Sequence, residues 1–247
     1  MNRLHIAPAR LPETMARLAY FHGWPQEVLA RLAAGTRLVT LAKNEPIGRK
    51  GQTPQSLHVV VSGLVRVFLP LPNEVERVVS LAGKGDSFGE ACLLLQQPCP
   101  YDAVAGQDSH LLAVDAMLFR QETARNLDLT RQVLERVSRH FMESLRDTEI
   151  CARRSSVERV AGYLLQHQPK PDAQEFHISL PARKQDVAAK LGLTQETFSR
   201  VLSALDKQGL IQVMGKQIHV EDGRKLSQLS APPVSTSPSG RSRQITI

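Results

Sequence analysis

The chain has 247 residues, of which 42% are apolar and 4% aromatic, so aliphatic side chains must dominate its cores. It contains no run of about 18 apolar residues and no secretory signal at its N-terminus, which excludes a membrane span and indicates a cytoplasmic protein. Residues 151–247 carry 14 Lys and Arg against 8 Asp and Glu, while residues 1–150 are almost balanced. This asymmetry favours a polyanionic partner for the C-terminal part, although a basic surface that only aids solubility would carry the same charge.

The first 115 residues change from a helical to a β-type pattern. Residues 1–35 form a predicted helical segment, because their apolar residues recur at helical spacing between positions 18 and 32. Residues 36–115 contain short apolar and β-branched runs, separated by turns such as Ser62-Gly63. No helical pattern alternates with these runs, so we predict an antiparallel β-roll here and an α+β fold for the whole chain.

A long helix is predicted over residues 116–153. Its apolar residues recur at spacings of three, four and seven, and they form a stripe that is longer than a small domain needs to cover its own core. The stripe contains Leu127, Leu134, Val137, Phe141, Leu145 and Thr148. We therefore predict a dimerisation helix, and the alternative is a surface helix that packs only on its own β-roll.

Residues 154–225 are predicted to form a separate winged helix-turn-helix domain. A helix capped by Ser155 or Ser156 is followed by a short strand, by two helices on either side of Gly192, and by two short strands joined at a Gly-Lys turn. Residues 226–247 are rich in Ser and Pro and have little core-forming power, so we expect this tail to be disordered.

The segment around Gly192 has the pattern of a helix-turn-helix. The glycine permits the tight turn, Thr194 caps the second helix, and small or apolar residues occupy the inner positions of both helices. The outward positions near the start of the second helix are polar, as a recognition helix requires in order to reach base edges in the major groove. The candidate DNA-binding residues are Lys184, Gln195, Glu196, Thr197, Ser199 and Arg200.

The donor and acceptor chemistry of these side chains indicates their roles. The Arg200 guanidinium can donate to O6 and N7 of guanine, and the Glu196 carboxylate can accept from N4 of cytosine. Ser199 is short enough to touch a base or its methyl group, and Lys184 would contact a phosphate and fix the register. Helix charges that only face solvent are the alternative interpretation.

Other classes of function have little support in the sequence. A ligand-binding module that regulates a protein partner through its winged helix should expose apolar residues, whereas the outward face here is polar. No phosphate-binding loop, zinc-protease motif or serine nucleophile motif occurs, so we do not expect an enzyme. Cys92, Cys99 and Cys151 are too few for a disulfide framework and form no Cys-x-x-Cys motif, and the sequence identifies no metal ligands.

The motifs resemble those of the CRP/FNR superfamily of transcription regulators over about residues 15–226. The resemblance rests on Lys50-Gly51-Gln52, Leu57–Gly63, Gly85–Glu90, Gln195–Arg200, Gly209–Ile211 and Gly215-Lys216. It implies a β-roll of the cyclic-nucleotide-binding type, a homodimer joined by the long helix, and double-stranded DNA and RNA polymerase as partners.

Within this superfamily, Glu196, Ser199 and Arg200 are similar to an FNR-type reading face, and Gln195 stands where the cyclic-AMP receptor branch carries an Arg. The likeness implies inverted half-sites such as TTGAT…ATCAA. A twofold dimer would then place its two recognition helices in successive major grooves, about 34 Å apart.

The resemblance also places an effector pocket in the β-roll. Its implied residues are Gly89, Glu90, Ala91 and Asp102. Cyclic-AMP receptors carry an Arg-Ser pair after this Gly-Glu-Ala motif, whereas this chain has Pro100-Tyr101-Asp102-Ala103. A cyclic phosphate that faced Glu90 and Asp102 without an arginine would be repelled, so cyclic AMP is disfavoured.

The positions of the cysteines limit which effectors are possible. An FNR-type iron–sulfur cluster is excluded, because it needs three cysteines near the N-terminus and none precedes Cys92. The remaining pattern is most similar to the Dnr-type branch, which implies haem that binds a gas such as nitric oxide, or another small effector.

Haem iron needs an axial ligand such as His, Cys or Met. The histidines in or near the sensor region are His5, His22, His58, His110 and His140, and each has an ordinary packing or surface role as its alternative. Redox chemistry of Cys92 and Cys99 is a rival prediction, although the sequence places no Lys or Arg beside either thiol to activate it.

Overall fold

The computed structural model describes residues 10–71, 76–153, 155–170 and 173–230. An N-terminal helical segment leads into a β-roll, then into a long helix and a C-terminal winged helix-turn-helix domain, which confirms the predicted α+β fold. No helix in these ranges is long and apolar enough to cross a membrane.

The N-terminal segment contains two short helices and a 3₁₀ turn. Helices α1 (Leu11–Ala16) and α2 (Gln26–Ala34) flank the 3₁₀ turn at Ala19–Phe21. The chain cannot continue as one helix, because Gly23 adopts a left-handed φ of 80° and Pro25 has no N–H to donate. The predicted residues before Arg10 lie outside the described part of the chain.

The β-roll consists of eight described strands and one short helix. They are β1 (Thr36–Leu41), β2 (Pro46–Gly48), β3 (Ser56–Ser62), β4 (Val65–Pro70), β5 (Glu76–Ala82), β6 (Ser87–Phe88), α3 (Glu90–Leu95), β7 (Asp102–Ala105) and β8 (Ser109–Asp115). The strands form two antiparallel four-stranded sheets, with the orders β1-β8-β3-β6 and β2-β7-β4-β5. Side chains such as Val60, Val67 and Leu111 form a buried core of the roll, while α1, α2 and the helix after β8 cover apolar residues of the first sheet.

The predicted long helix is interrupted, and its prediction as one element over 116–153 is wrong at Asn126. Helix α4 (Ala116–Arg125) ends there because the Asn126 backbone is extended, with φ −131° and ψ 109°. The Asn126 side-chain oxygen then accepts the N–H groups of Asp128 and Leu129 and so caps α5 (Leu127–Ala152). The 26 residues of α5 span about 39 Å.

The described part of the C-terminal domain contains four helices and a three-stranded sheet. They are α6 (Ser156–Gln166), β9 (Phe176–Ser179), α7 (Lys184–Lys190), α8 (Gln195–Lys207), β10 (Ile211–Met214), β11 (Gln217–Val220) and α9 (Gly223–Ser230). The sheet order is β10-β11-β9, and all pairs are antiparallel. The predicted start of a disordered tail at 226 is wrong, because Leu226 is fully buried in the domain core and α9 continues to Ser230. Residues 231–247 of that tail lie outside the described residues.

The C-terminal domain packs against both the roll and α5. The buried Leu64, which directly precedes β4, belongs to the same apolar cluster as the core of this domain. Arg66 of β4 forms an ion pair of 3.4 Å with the buried Asp186 of α7, and Lys190 of α7 pairs with Asp147 of α5 at 3.0 Å. Helix α7 is therefore held from two sides.

Candidate nucleic-acid interface

Helices α7 and α8 meet in the tight turn that the sequence predicts. Gly192 adopts a left-handed φ of 65°, which lets the chain reverse direction between them. The Thr194 hydroxyl oxygen accepts the N–H of Thr197 at 3.2 Å and caps α8. The inner face of α8 is buried at Phe198, Val201, Leu202 and Leu205.

The opposite edge of α8 is polar and open to solvent. Gln195, Glu196 and Arg200 are exposed, and Ser199 is half-buried beside them. Within the described residues, none of the three exposed side chains forms an ion pair or hydrogen bond, so their donors and acceptors are free. Thr197 differs from its neighbours, since its hydroxyl lies 3.0 Å from that of Thr194 and belongs to the helix cap.

Two further basic positions flank this edge. Lys184 is the first residue of α7 and is half-buried. Lys216 is exposed at the tip of the β10–β11 turn, where Gly215 has a φ of 64°. The sequence predicts this turn but no role for Lys216, although a basic side chain at a wing tip is itself a signal for phosphate contact.

The helix-turn-helix is tied to the end of α5 through Arg159 of α6. The Arg159 guanidinium donates to the carbonyl of Arg153 at 2.9 Å and, at 3.4 Å, to the carbonyls of Leu191 and Gly192 in the turn. Residue 154, between the end of α5 and the cap of α6, lies outside the described residues. The arrangement couples the end of the long helix to the turn that positions α8.

The β-roll contains a concave site of about 590 Å³, which we call the roll cavity. Its walls come from β1, β2, β3, β6, β7 and the loops between them, and they include Arg37, Arg49, His58, Phe88, Gly89 and Tyr101. The cavity therefore combines an apolar and aromatic surface with two guanidinium groups. No sequence motif points to these two arginines, because they are distant in sequence from the Gly-Glu-Ala motif.

The four residues implied for the effector pocket do not come together. Gly89 lines the roll cavity, but Glu90 is buried and accepts a short hydrogen bond from the Ser87 hydroxyl. Ala91 is exposed, and the Asp102 carboxylate accepts the N–H of Lys50 at 2.6 Å. Only Gly89 of the four borders the cavity, so neither the Glu90 nor the Asp102 carboxylate lines the site that a phosphate would occupy there.

His58 is the histidine that lines the roll cavity. Its ring stacks on Phe88 with centroids 5.2 Å apart, and burial, helped by the charge of Arg37, lowers the pKa of His58 to about 4. The imidazole is therefore neutral at pH 7, which is the form that binds a metal. His22 and His140 line a different cavity, His110 lies 3.0 Å from the Ser62 hydroxyl, and His5 is outside the described residues.

The cysteine pair near the roll cavity is poorly suited to thiolate chemistry. Cys92 is buried and lies 3.7 Å from the Tyr101 hydroxyl, while Cys99 borders the cavity. Burial, together with hydrogen bonding to Cys92, raises the pKa of Cys99 to about 11, which disfavours the reactive thiolate. Within the described residues, no three His, Cys, Asp or Glu side chains are grouped closely enough to hold a metal ion.

Comparison with known proteins supports both the β-roll and the helix-turn-helix domain. Residues 38–126 match the cyclic nucleotide-binding domain, and residues 158–229 match the Crp-like helix-turn-helix domain. The chain is 31% identical over 215 residues to the "Cyclic AMP receptor protein" of Thermus thermophilus, a match that covers 85% of this chain and 95% of that protein. It is 26% identical over 198 residues to the "Nitrogen fixation regulation protein FixK" of Bradyrhizobium diazoefficiens, covering 79% and 82% of the two chains.

A solved structure with a similar fold comes from a protein of similar name. The structure of FixK2 from Bradyrhizobium japonicum superposes with a TM-score of 0.68 at 24% identity, covering 81% of this chain and 99% of that one. The matched domains and relatives are those of regulators and not of enzymes. With a roll of the cyclic nucleotide-binding type, a long helix and an open winged helix-turn-helix in one chain, this protein belongs to the CRP/FNR family of DNA-binding transcription regulators.

Proposed function

We propose that the protein is a homodimeric regulator that binds FNR-like inverted repeats in double-stranded DNA and responds to an effector in its β-roll. The observation that carries the proposal is the free polar edge of α8, formed by Gln195, Glu196 and Arg200 on a helix whose other face is buried. We propose that it acts on DNA in the cytoplasm, and we expect RNA polymerase to be its protein partner.

The exposed face of α5 supports the homodimer. Leu127, Leu134 and Phe141 are 83%, 63% and 60% exposed, and Leu145 continues the same stripe one turn later. Such a row of large apolar side chains at spacings of seven and four is typical of a helix seam that a second copy covers. Val137, also in the predicted stripe, instead packs on the N-terminal core, so the seam is narrower than the sequence predicts.

The chemistry of the α8 edge supports the choice of operator. Arg200 supplies a two-donor fork for guanine, Glu196 an acceptor for the amino group of cytosine, and Ser199 a short contact beside them. Lys184 and the exposed Lys216 would contact phosphates on either side. These contacts suit the TTGAT half-site, read twice by the two subunits.

A gel-shift titration tests the operator. At one stated salt concentration, a duplex with TTGAT…ATCAA should bind at least about 1,000-fold more tightly than an unrelated duplex. Equal affinity for the two duplexes would contradict the proposal. Binding to neither, with capture of a protein partner through the winged helix, would favour the alternative of a module that regulates another protein.

For the effector, we propose haem in the roll cavity. The neutral His58 ring would be the candidate ligand of the haem iron, and Arg37 and Arg49, which also line the cavity, would pair with carboxylates of the group. The apolar surface of Phe88 and Tyr101 suits a porphyrin face. Bound haem would supply an iron site for a gas such as nitric oxide.

A cyclic nucleotide is the second candidate effector. Two observations favour it: the arginines of the roll cavity can hold a phosphate, and one relative at 31% identity is named for cyclic AMP. Two titrations of the purified protein separate the candidates. Haem should give a Soret band that shifts with nitric oxide and is lost in His58→Ala, whereas saturable binding of cyclic AMP without such a band would replace haem by the nucleotide.

A further inference from the structure

A second cavity lies between the β-roll, α5 and α7. This interdomain cavity has a volume of about 620 Å³ and shares no lining residue with the roll cavity. Its walls are contributed by the N-terminal segment (Tyr20, Trp24), by β5 (Ser80), by α5 (Arg136, Arg139) and by α7 (Lys190). It is thus bordered at once by the sensor, by the long helix and by the helix-turn-helix.

Cationic donors from two domains meet in this cavity. Arg136 is held in place, because its guanidinium lies 4.5 Å from the Tyr20 ring centroid and donates to the carbonyl of Ala19 at 3.3 Å. Arg139 is one turn further along α5, and it has no ion pair or hydrogen bond with any described residue. Lys190 enters from α7; its ammonium pairs with Asp147 of α5 at 3.0 Å, which leaves two of its three N–H donors for a ligand.

Two neutral donors in the walls also lack partners. The Tyr20 hydroxyl and the Trp24 indole nitrogen are both buried without a hydrogen bond in the described structure. A buried donor left unpaired is costly and is normally satisfied by protein, water or ligand. Burial, and secondarily the charge of Glu90, raise the pKa of Tyr20, so its hydroxyl keeps the proton that it can donate.

The carboxylates of the walls are less available than the donors. An oxygen of Asp86 accepts the N–H of Gly83 at 2.8 Å, and Glu135 pairs with Arg131 at 3.4 Å. Glu143 alone of the three wall carboxylates has no partner among the described residues. The unmet hydrogen-bonding capacity of the cavity is therefore mainly that of donors, and a ligand that fits it should bring acceptor oxygens.

The cavity also lies away from the proposed dimer seam. Arg136 and Arg139 follow Leu134 by two and five residues, which places them roughly 200° and 140° around α5 from the apolar stripe. A second copy that covers Leu134 and Phe141 would leave this side of the helix open.

We propose that the interdomain cavity binds a small organic oxyanion, a carboxylate or a phosphate, and that the bound anion strengthens the link that Lys190 and Asp147 already form between α7 and α5 and so changes the affinity for DNA. The inference that an anion binds depends on the cavity alone. The inference that the anion changes DNA binding rests also on the proposed function.

Trp24 gives a direct readout, because it is the only tryptophan of the chain and lines the cavity. We would titrate the full-length protein with succinate and, separately, with inorganic phosphate, and hold ionic strength constant with chloride. A saturable change in Trp24 fluorescence with either probe supports the site, and the probe that saturates identifies a carboxylate or a phosphate. No saturable change with either probe overturns it.

Variants of α5 show whether the change comes from this cavity. Arg139→Ala should weaken binding of the active probe about 10-fold or more, because it removes a charge-assisted hydrogen bond. Arg146→Ala, an exposed arginine of the same helix outside the cavity, should leave binding unchanged. Equal loss in both variants overturns the site, and Arg139→Gln replaces Arg139→Ala if the latter lowers the melting temperature.

The second part of the proposal is tested with DNA. The active probe should change the affinity of the wild-type protein for the TTGAT…ATCAA duplex severalfold, and Lys190→Met should remove that change while Trp24 still reports the probe. An unchanged DNA affinity in the presence of a bound probe overturns the coupling. If the wild-type protein does not bind the duplex at all, the proposed function fails, while the fluorescence titration still decides whether the anion site exists.

Discussion

The two functional regions of this molecule are assembled in different ways. In the helix-turn-helix, the turn at Gly192, the cap at Thr194 and the polar edge up to Arg200 lie within nine consecutive residues, and a local pattern determines each of them. The roll cavity draws its walls from strands and loops between Arg37 and Ala103. A recognition surface of this kind can therefore be identified from a short segment, whereas a cavity in the β-roll depends on how distant strands come together.

The largest expected effect is the loss of operator binding in variants of the polar edge of α8, and these variants should leave the β-roll intact. The double variant Glu196→Ala/Arg200→Ala should weaken operator binding by about 1,000-fold, because each lost base contact costs about 1–3 kcal/mol in each half-site. Fluorescence anisotropy with the labelled duplex at fixed salt measures the loss. Gln208→Ala, just beyond the other end of α8, serves as the control, and an unchanged affinity of the double variant would disprove the proposed reading edge.

The next largest effect is on the free energy of unfolding, and it should differ between a buried and an exposed phenylalanine on two helices. Phe198 of α8 is fully buried, so Phe198→Ala should lower the free energy of unfolding by about 3–5 kcal/mol. Phe141 of α5 is 60% exposed, and Phe141→Ala should scarcely change the unfolding of a single subunit. Urea titrations at low protein concentration measure both. A large loss for Phe141→Ala under these conditions would show that it packs on its own roll.

The dimer seam should respond to charge on the apolar stripe. Leu134→Glu/Phe141→Glu places two carboxylates in the proposed seam and should convert the dimer to monomers, with operator binding weakened by at least about 100-fold. Sedimentation velocity measures the oligomeric state. Arg139→Glu, on the other side of α5, should remain dimeric. A wild-type protein that is already monomeric at micromolar concentration would contradict the seam.

The smallest effect concerns the sensor half alone. The pKa of His58 is about 4 in the folded chain and about 6.5 in an unfolded one, so the unfolded state binds more protons between these values. Stability should therefore fall as the pH drops from about 6.5 towards 4, by about 2 kcal/mol at pH 4.5. Urea unfolding at pH 7 and pH 4.5 measures this. His58→Gln should lose that part of the pH dependence, whereas the exposed His22→Gln should keep it.

The sequence predicts more of the C-terminal half than of the rest. The turn at Gly192, the cap at Thr194 and the buried positions of α8 follow from spacing alone, because a helix repeats every 3.6 residues. The break at Asn126 was missed, since an apolar stripe can run past a capping residue without losing its period. The helix that continues to Ser230 was missed because its burial depends on contacts with α6.

In the β-roll, a sequence motif predicts the fold but not the site. The Gly-Glu-Ala motif indicates a roll of the correct type, but Glu90 is occupied by Ser87 and Asp102 by the backbone of Lys50. The cationic groups of the cavity, Arg37 and Arg49, are at least 40 positions from that motif. No sequence period connects them, so only the topology of the two sheets could reveal the site.

The central claim is that two copies of α8 act together on one operator, and binding stoichiometry with half-site spacing tests it most directly. We predict one dimer for each TTGAT…ATCAA duplex, with affinity lost when about half a helical turn is inserted between the half-sites, because the two recognition helices then face different sides of the DNA. A single protein chain for each duplex, or equal affinity for one half-site and for every spacing, would contradict the account.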